Sequence, residues 1–406
     1  MKRSIILFVV VFLISQSVFG QTQKKDKLIL TKPDKGFYEA MIDTINEFNK
    51  KPDKPEKVMH VDLSDYECPK DISEFTQQWY NPPTSQGRTS TCWCYSTTSF
   101  LETEIYRLTG KKVHLSVMNT VYWEFVEKAM NYIQKRGDAV FPNGSEANAV
   151  IRIWKKYGCV PYDVYTGLKP NQKFHDHDKM YGEMKSYLEN LKTSNAWNEE
   201  EAAATIKSIL NHYMGVPPEK FTVDGKEYTP KEYLSDYLKI NLDNYIDILS
   251  YEQQPYGQKV EYEVSDNWNH NKDYFNVPLD TFMKIIKNAV RNGYTMSIGG
   301  DISEPGIDSH KKVFMIPTFD IPSEYIDDDA RQFRFSNNTT TDDHGIHLVG
   351  YKEINGKDWY LIKDSWVIAY DEEPQGYVFF NEDYVKLKMM DFMIHKDAVK
   401  GFIDLK

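Results

Sequence analysis

The amino-acid sequence predicts an α+β fold, and three observations carry that reading. Helical periodicity fills the stretch that begins at Cys92, charged amphipathic segments occupy about 175 to 250, and the last third is mainly β-prone runs around Asn355-Gly356. Hydrophobic residues at 41% and aromatics at 14% supply enough apolar surface for a substantial core.

From the N-terminus, Lys2 and Arg3 precede an apolar run from Ile5 to Ile14, and small residues lead to Gln21. That run is shorter than the ~20 apolar residues a spanning helix needs. The order predicts a cleaved signal peptide over 1–20 and a secreted or periplasmic mature chain without a membrane anchor. Residues 21–75 read as an N-terminal extension with one amphipathic helix, GFYEAMIDTINEFNK, and 76–406 as the main domain. The formal charge of −11, which falls to −13 once Lys2 and Arg3 leave, argues against nucleic acid or anionic membrane as the main partner.

Trp93, Thr97, Phe100, Leu101 and Ile105 recur at helical spacing, with Gly110 as the stop, which puts Cys92 at a helix N-terminus. A second helix follows in LSVMNTVYWEFVEKAMNYI with Ser116 as its cap, and a third runs from Glu146 to Tyr157. The segments MKSYLENLKT, EEEAAATIKSILNHYM and PKEYLSDYLKI read as a helical insertion at about 170–265. A further helix, LDTFMKIIKNAVRNG, leads into the strand-like YTMSIGGDIS, and HGIHLVGYKEINGKDWYLIKDSW is a hairpin about Asn355-Gly356.

Four cysteines, Cys68, Cys92, Cys94 and Cys159, are too few for a disulfide scaffold. A thiol attacks as its thiolate, which the free N–H groups and partial positive charge of a helix N-terminus favour. Cys92 holds that position, whereas Cys94 points about 200° away around the helix and reads as core. A base and an orienting group are also required, and His344 and His347 lie on the hairpin strand whose partner leads to Asp364. Gln86, six residues before Cys92, has an amide N–H for a developing oxyanion, with the Cys92 backbone N–H as the second donor. Two metal readings are weaker: Cys92-x-Cys94 with the hairpin histidines is a poor zinc spacing, and His175-Asp176-His177-Asp178 reads as a solvated turn.

The ordered set Gln86-Gly87, Cys92-Trp93, Tyr95-Ser96, Asp343-His344, Val349-Gly350-Tyr351 and Lys363-Asp364-Ser365-Trp366 resembles the papain-like (C1) cysteine peptidases. Within them, LSVMNTVYWEFVEKA, KYGCVPYDVY, VPLDTFMKIIKNAVRNGYTMSIGGDIS and MIHKDAV are similar to the bleomycin hydrolase and aminopeptidase C branch. The resemblance implies a two-lobed fold, a helical lobe against an antiparallel barrel-like sheet lobe, with the cleft between them. It implies Cys92 as nucleophile, His344 as acid and base, Asp364 as orienter, Gln86 as oxyanion donor, and Trp93 and Trp366 as site walls. Peptides or proteins are the implied substrates, no metal or organic cofactor is needed, and a hexamer is implied by analogy alone.

Several positions depart from the family pattern. Asp364 stands where asparagine is usual, Thr89 where many relatives have a cysteine, and Val367 where glycine follows the tryptophan. The resembled branch has a longer C-terminal arm whose end selects free amino termini, whereas here KGFIDLK follows Val399, which leaves aminopeptidase and endopeptidase action both open. Another acyl transfer, such as transamidation or amide hydrolysis, and an inactive binding protein on the same fold are the alternatives. A strict two-residue hairpin at Asn355-Gly356 puts Asp364 opposite His347 and away from His344, so an odd-length loop or a bulge is predicted.

Overall fold

The computed structural model describes residues 36–50, 61–64 and 66–405. The signal-peptide prediction and much of the N-terminal extension lie outside the described residues. The chain divides into two compact units, residues 1–57 and 58–406. In the first, the expected amphipathic helix forms over Phe37–Asn49, with Phe37 and Phe48 exposed.

In the second unit, three helices build one core. Helix α1 (Cys92–Thr109) ends at Gly110, whose φ of 72° is the left-handed conformation that glycine adopts without strain. Helix α2 (Val117–Gln134) is opened by Ser116, whose hydroxyl accepts the Asn119 N–H at 3.1 Å. Helix α3 (Ala147–Tyr157) buries Val150, Ile153 and Trp154 against them. Helices Asp178–Ser194 and Glu199–Met214 extend this cluster through Met180, Met184, Leu188, Ile206 and Leu210.

The helical stretch is shorter than the sequence predicts. Residues 221–228 form a two-stranded ribbon, and Tyr245–Leu249 is a strand of the main sheet. Its sequence, YIDIL, has the β-branched content of a strand, and all but Ile246 are buried. Helical charge patterning upstream carried the sequence reading past that boundary.

The main sheet runs, strand by strand, 258–260, 274–276, β1 (Tyr245–Leu249), β6 (Met389–His395), β2 (Met296–Gly300), β3 (His344–Ile354), β4 (Lys357–Lys363), β5 (Tyr377–Asn381), 313–314 and 307–308. Its pairings are antiparallel except 313–314 on β5 and 274–276 on β1. A second core of Ile298, Ile346, Leu348, Tyr360, Ile362 and Phe392 packs on helix Leu279–Arg291 through Phe282 and Ile286.

The hairpin resolves the register question in an informative way. Ile354 pairs with Lys357 across a two-residue turn, with Asn355 at φ 53° and Gly356 at φ 78°. The register then shifts between Leu348 and Gly350, so Leu348 faces Ile362 and His347 faces Lys363. Val349 is the extra residue, and this bulge returns His344 and Asp364 to one face of the sheet. Edge strand Thr76–Gln77 lies over it, and the Val349 carbonyl accepts the Gln78 N–H at 3.1 Å.

Candidate active site

Close approach of α1 to β3 creates the site. A Cβ on Gly345 would lie 3.2 Å from the Trp93 Cα and 3.1 Å from the Ser96 Oγ, so glycine lets the helix start sit directly on the strand beside His344. Cys92 is half-buried at the first position of α1. Thr91 gives the helix no side-chain cap, its carbonyl accepts the Cys94 and Tyr95 N–H groups, and the positive end of the helix dipole faces an anion at Cys92.

His344 is buried on β3 and lines one pocket with Cys92. Its Nε2–H donates to Asp364 Oδ1 at 2.7 Å, which leaves Nδ1 for the sulfur. Burial opposes the imidazolium, but the Asp364 carboxylate and Cys92 outweigh it and hold the histidine well above its usual range. The Trp366 N–H donates to the same Asp364 oxygen at 3.0 Å. The Trp366 ring lies 5.8 Å from that of His344, screening the His344–Asp364 bond from water.

Gln86 is buried and clamped. Its backbone N–H donates to the Ser365 carbonyl at 2.9 Å, its Oε1 accepts the Ser365 hydroxyl at 2.8 Å, and its Nε2 donates to the Thr89 carbonyl at 2.7 Å. One amide proton remains for a substrate oxygen. Ser365 was legible in the sequence only as the residue between Asp364 and Trp366, and its orienting contact was missed. Gln86→Ala is expected to lower kcat by about 10²-fold, the cost of one oxyanion donor, with a much smaller change in KM. Steady-state kinetics check this, and an unchanged kcat removes Gln86 from that role.

His175 and His177 are buried, not in the solvated turn the sequence suggested. The His175 carbonyl accepts the Arg88 N–H at 2.8 Å, and the His177 N–H donates to the Arg88 carbonyl at 3.1 Å. Gly87, at φ 65°, fits beneath, since a Cβ there would come within 2.4 Å of the His175 carbonyl. This strap fixes the loop that carries Gln86.

The other thiols are placed elsewhere. Cys94 is fully buried against the Val117 carbonyl, and burial raises its pKa and that of Cys159 far above a thiol's usual value. His347 is buried, with Nδ1 accepting the Ser99 hydroxyl at 2.9 Å, and burial with Lys363 nearby keeps it neutral. Trp93 is buried and walls the cleft beside Cys92.

A family model described as the Peptidase C1-like family matches residues 138–403. The chain belongs to the Peptidase C1-like family. It is therefore a cysteine-type peptidase of papain-like fold. Aminopeptidase C of Lactococcus lactis subsp. cremoris is 22% identical to it over 363 residues, covering 79% of this chain and 81% of that protein. Aminopeptidase G of Lactobacillus delbrueckii subsp. lactis is 21% identical over 370 residues, covering 77% and 80%. The crystal structure of PepW from Lactobacillus rhamnosis HN001 superposes with a TM-score of 0.63 at 17% identity, covering 80% of this chain and 82% of that one, a likeness of fold. Among the described residues, no helix is long and apolar enough to cross a membrane.

Proposed function

We propose that this C1 peptidase is an aminopeptidase acting through a Cys92 thiolate, with His344 as proton carrier. The observation that carries the reading is the placement of Cys92 and His344 in one pocket, with His344 held by Asp364 at 2.7 Å. His344 takes the thiol proton, and the sulfur attacks the peptide carbonyl carbon. Gln86 and the first N–H of α1 receive the oxyanion. His344 then gives its proton to the leaving amine, and the acyl-enzyme forms as the C–N bond breaks. Water, deprotonated by the same imidazole, attacks the thioester and restores Cys92.

Exopeptidase action is favoured by the aminopeptidase names of the similar proteins. Peptides with free and acetylated N-termini test it. Stepwise release of N-terminal residues from the free peptide alone is expected, and internal cleavage of the blocked peptide overturns it. A secreted or periplasmic location follows in the same proposal from residues 1–20, and mass spectrometry of the exported protein is expected to find a new N-terminus near Gln21.

A further inference from the structure

Beside Cys92 and His344 lies a pocket whose walls carry an excess of carboxyl groups. Its cavity volume is about 30 Å³, room for a group the size of a water or an ammonium. Glu146, Asp266, Asp342, Asp343 and Asp391 line it together with Cys92, Trp93 and His344, and no lysine or arginine does. Oxygens of Glu146, Asp342 and Asp391 lie within 4.8 Å of one another.

The carboxylates are built into the fold. Asp391 on β6 pairs with Gly299 on β2, where a Cβ would lie 2.4 Å from Asp391 Oδ1. A Cβ on Gly144 would lie 1.9 Å from Asp266 Oδ2. Two glycines thus open the space these acids fill. Glu146 and Asp391 are 6% and 3% exposed, and Glu146 Oε1 and Asp391 Oδ1 have no hydrogen-bond partner. Buried carboxylate oxygens without partners are costly, and an incoming donor relieves that cost.

One buried cation reaches this region and is shared among several groups. The Lys128 ammonium donates to the Pro142 and Gly144 carbonyls and interacts with Glu124, Asp266 and, least, Glu146. Burial without enough counter-charge pushes Glu146 and Asp391 well above the usual carboxylate range, and Asp342 up to about 7. A positive charge entering the pocket would return these groups to their ionised form.

We propose that Asp391, Glu146 and Asp342 receive a cationic nitrogen of the peptide substrate, an α-ammonium or a basic side chain, and select such substrates beside the nucleophile. This rests on the peptidase reading above. The test uses two pairs of peptides, free against N-acetylated and lysine against norleucine at the second residue, with kcat/KM as the readout. At least one pair is expected to favour the cationic member by about tenfold, the effect of one charge-assisted hydrogen bond. That ratio falls toward one in Asp391→Asn and in Glu146→Gln, and whichever pair responds identifies the source of the nitrogen.

Circular dichroism establishes folding, and if Asp391→Asn fails to fold, Glu146→Gln carries the comparison. Ratios near one in the wild type, or unchanged in the folded variants, overturn the proposal. So does saturable binding of calcium or manganese that Glu146→Gln abolishes while the peptide pairs stay equivalent, which makes the pocket a metal site. Absence of all peptide cleavage, with no labelling of Cys92 by a thiol-directed epoxide, instead defeats the peptidase reading. Calorimetric binding of the same pairs to Cys92→Ala then decides the pocket by itself: a cationic preference of about tenfold supports it, and none overturns it.

Discussion

Cys92→Ala is expected to abolish peptide hydrolysis, by roughly 10⁴-fold or more in kcat/KM, while leaving the fold intact. The loss is large because no other thiol can substitute. Cys94 and Cys159 are sealed in the helical core with their thiols held protonated by burial, and Cys68 lies half-buried against a separate cluster with Leu63 and Phe75. The fold survives because Cys92 is half-buried at a helix start and the packing of α1 depends on Phe100, Leu101 and Ile105. Truncating it costs at most about 1 kcal/mol of stability.

Thermal melts of the two proteins should therefore nearly coincide, and a thiol-directed epoxide should label the wild type at Cys92 alone. Hydrolysis at the wild-type rate by the folded variant would sink the mechanism. Cleavage that persists only at the chemical background is the expected result.

The features legible in the sequence were those written in short stretches. The start of α1 follows from its apolar spacing and Gly110, and the hairpin from Asn355-Gly356. The need for a bulge followed from arithmetic alone, because a strict register sends Asp364 to His347. Its place did not. Val349 is the extra residue beside Gly350, where Thr76–Gln77 pairs with the strand and a Cβ would meet the Thr76 carbonyl at 2.6 Å. That edge strand is 273 positions away in the chain (350 − 77), beyond any local pattern.

The same limit explains the acidic pocket and the strap at Gly87. Asp391 on β6 and Glu146 at the start of α3 meet within 4.8 Å, and the His175 carbonyl accepts the Arg88 N–H, each pair far apart in the chain. Neither juxtaposition leaves a periodic trace. The strand at Tyr245–Leu249 was hidden differently, since its short apolar run follows charged helical segments and length alone does not mark the boundary.

Asp364 carries the second large effect, and its two substitutions should behave differently. Asp364→Ala removes both the partner that orients His344 and the charge that holds its proton, and kcat is expected to fall on the order of 10³-fold. Asp364→Asn retains an oxygen placed to accept the His344 Nε2–H and the Trp366 N–H, bonds now 2.7 and 3.0 Å long. It removes only the negative charge. The ring stays oriented, and activity at the optimum should fall far less than in the alanine variant.

The pH profile separates geometry from charge. In the wild type, Asp364 and Cys92 raise the His344 pKa against the effect of burial, so the imidazolium survives through neutrality. Its contribution is present below that raised pKa and is lost as pH rises through it. Without the carboxylate charge the imidazolium gives up its proton sooner, and the alkaline limb of kcat/KM in Asp364→Asn should move toward acid. A limb that superimposes on the wild type would mean that Asp364 orients the ring without setting its charge. Movement in the opposite direction would contradict the electrostatic role altogether, because removing an anion cannot make a neighbouring cation easier to keep.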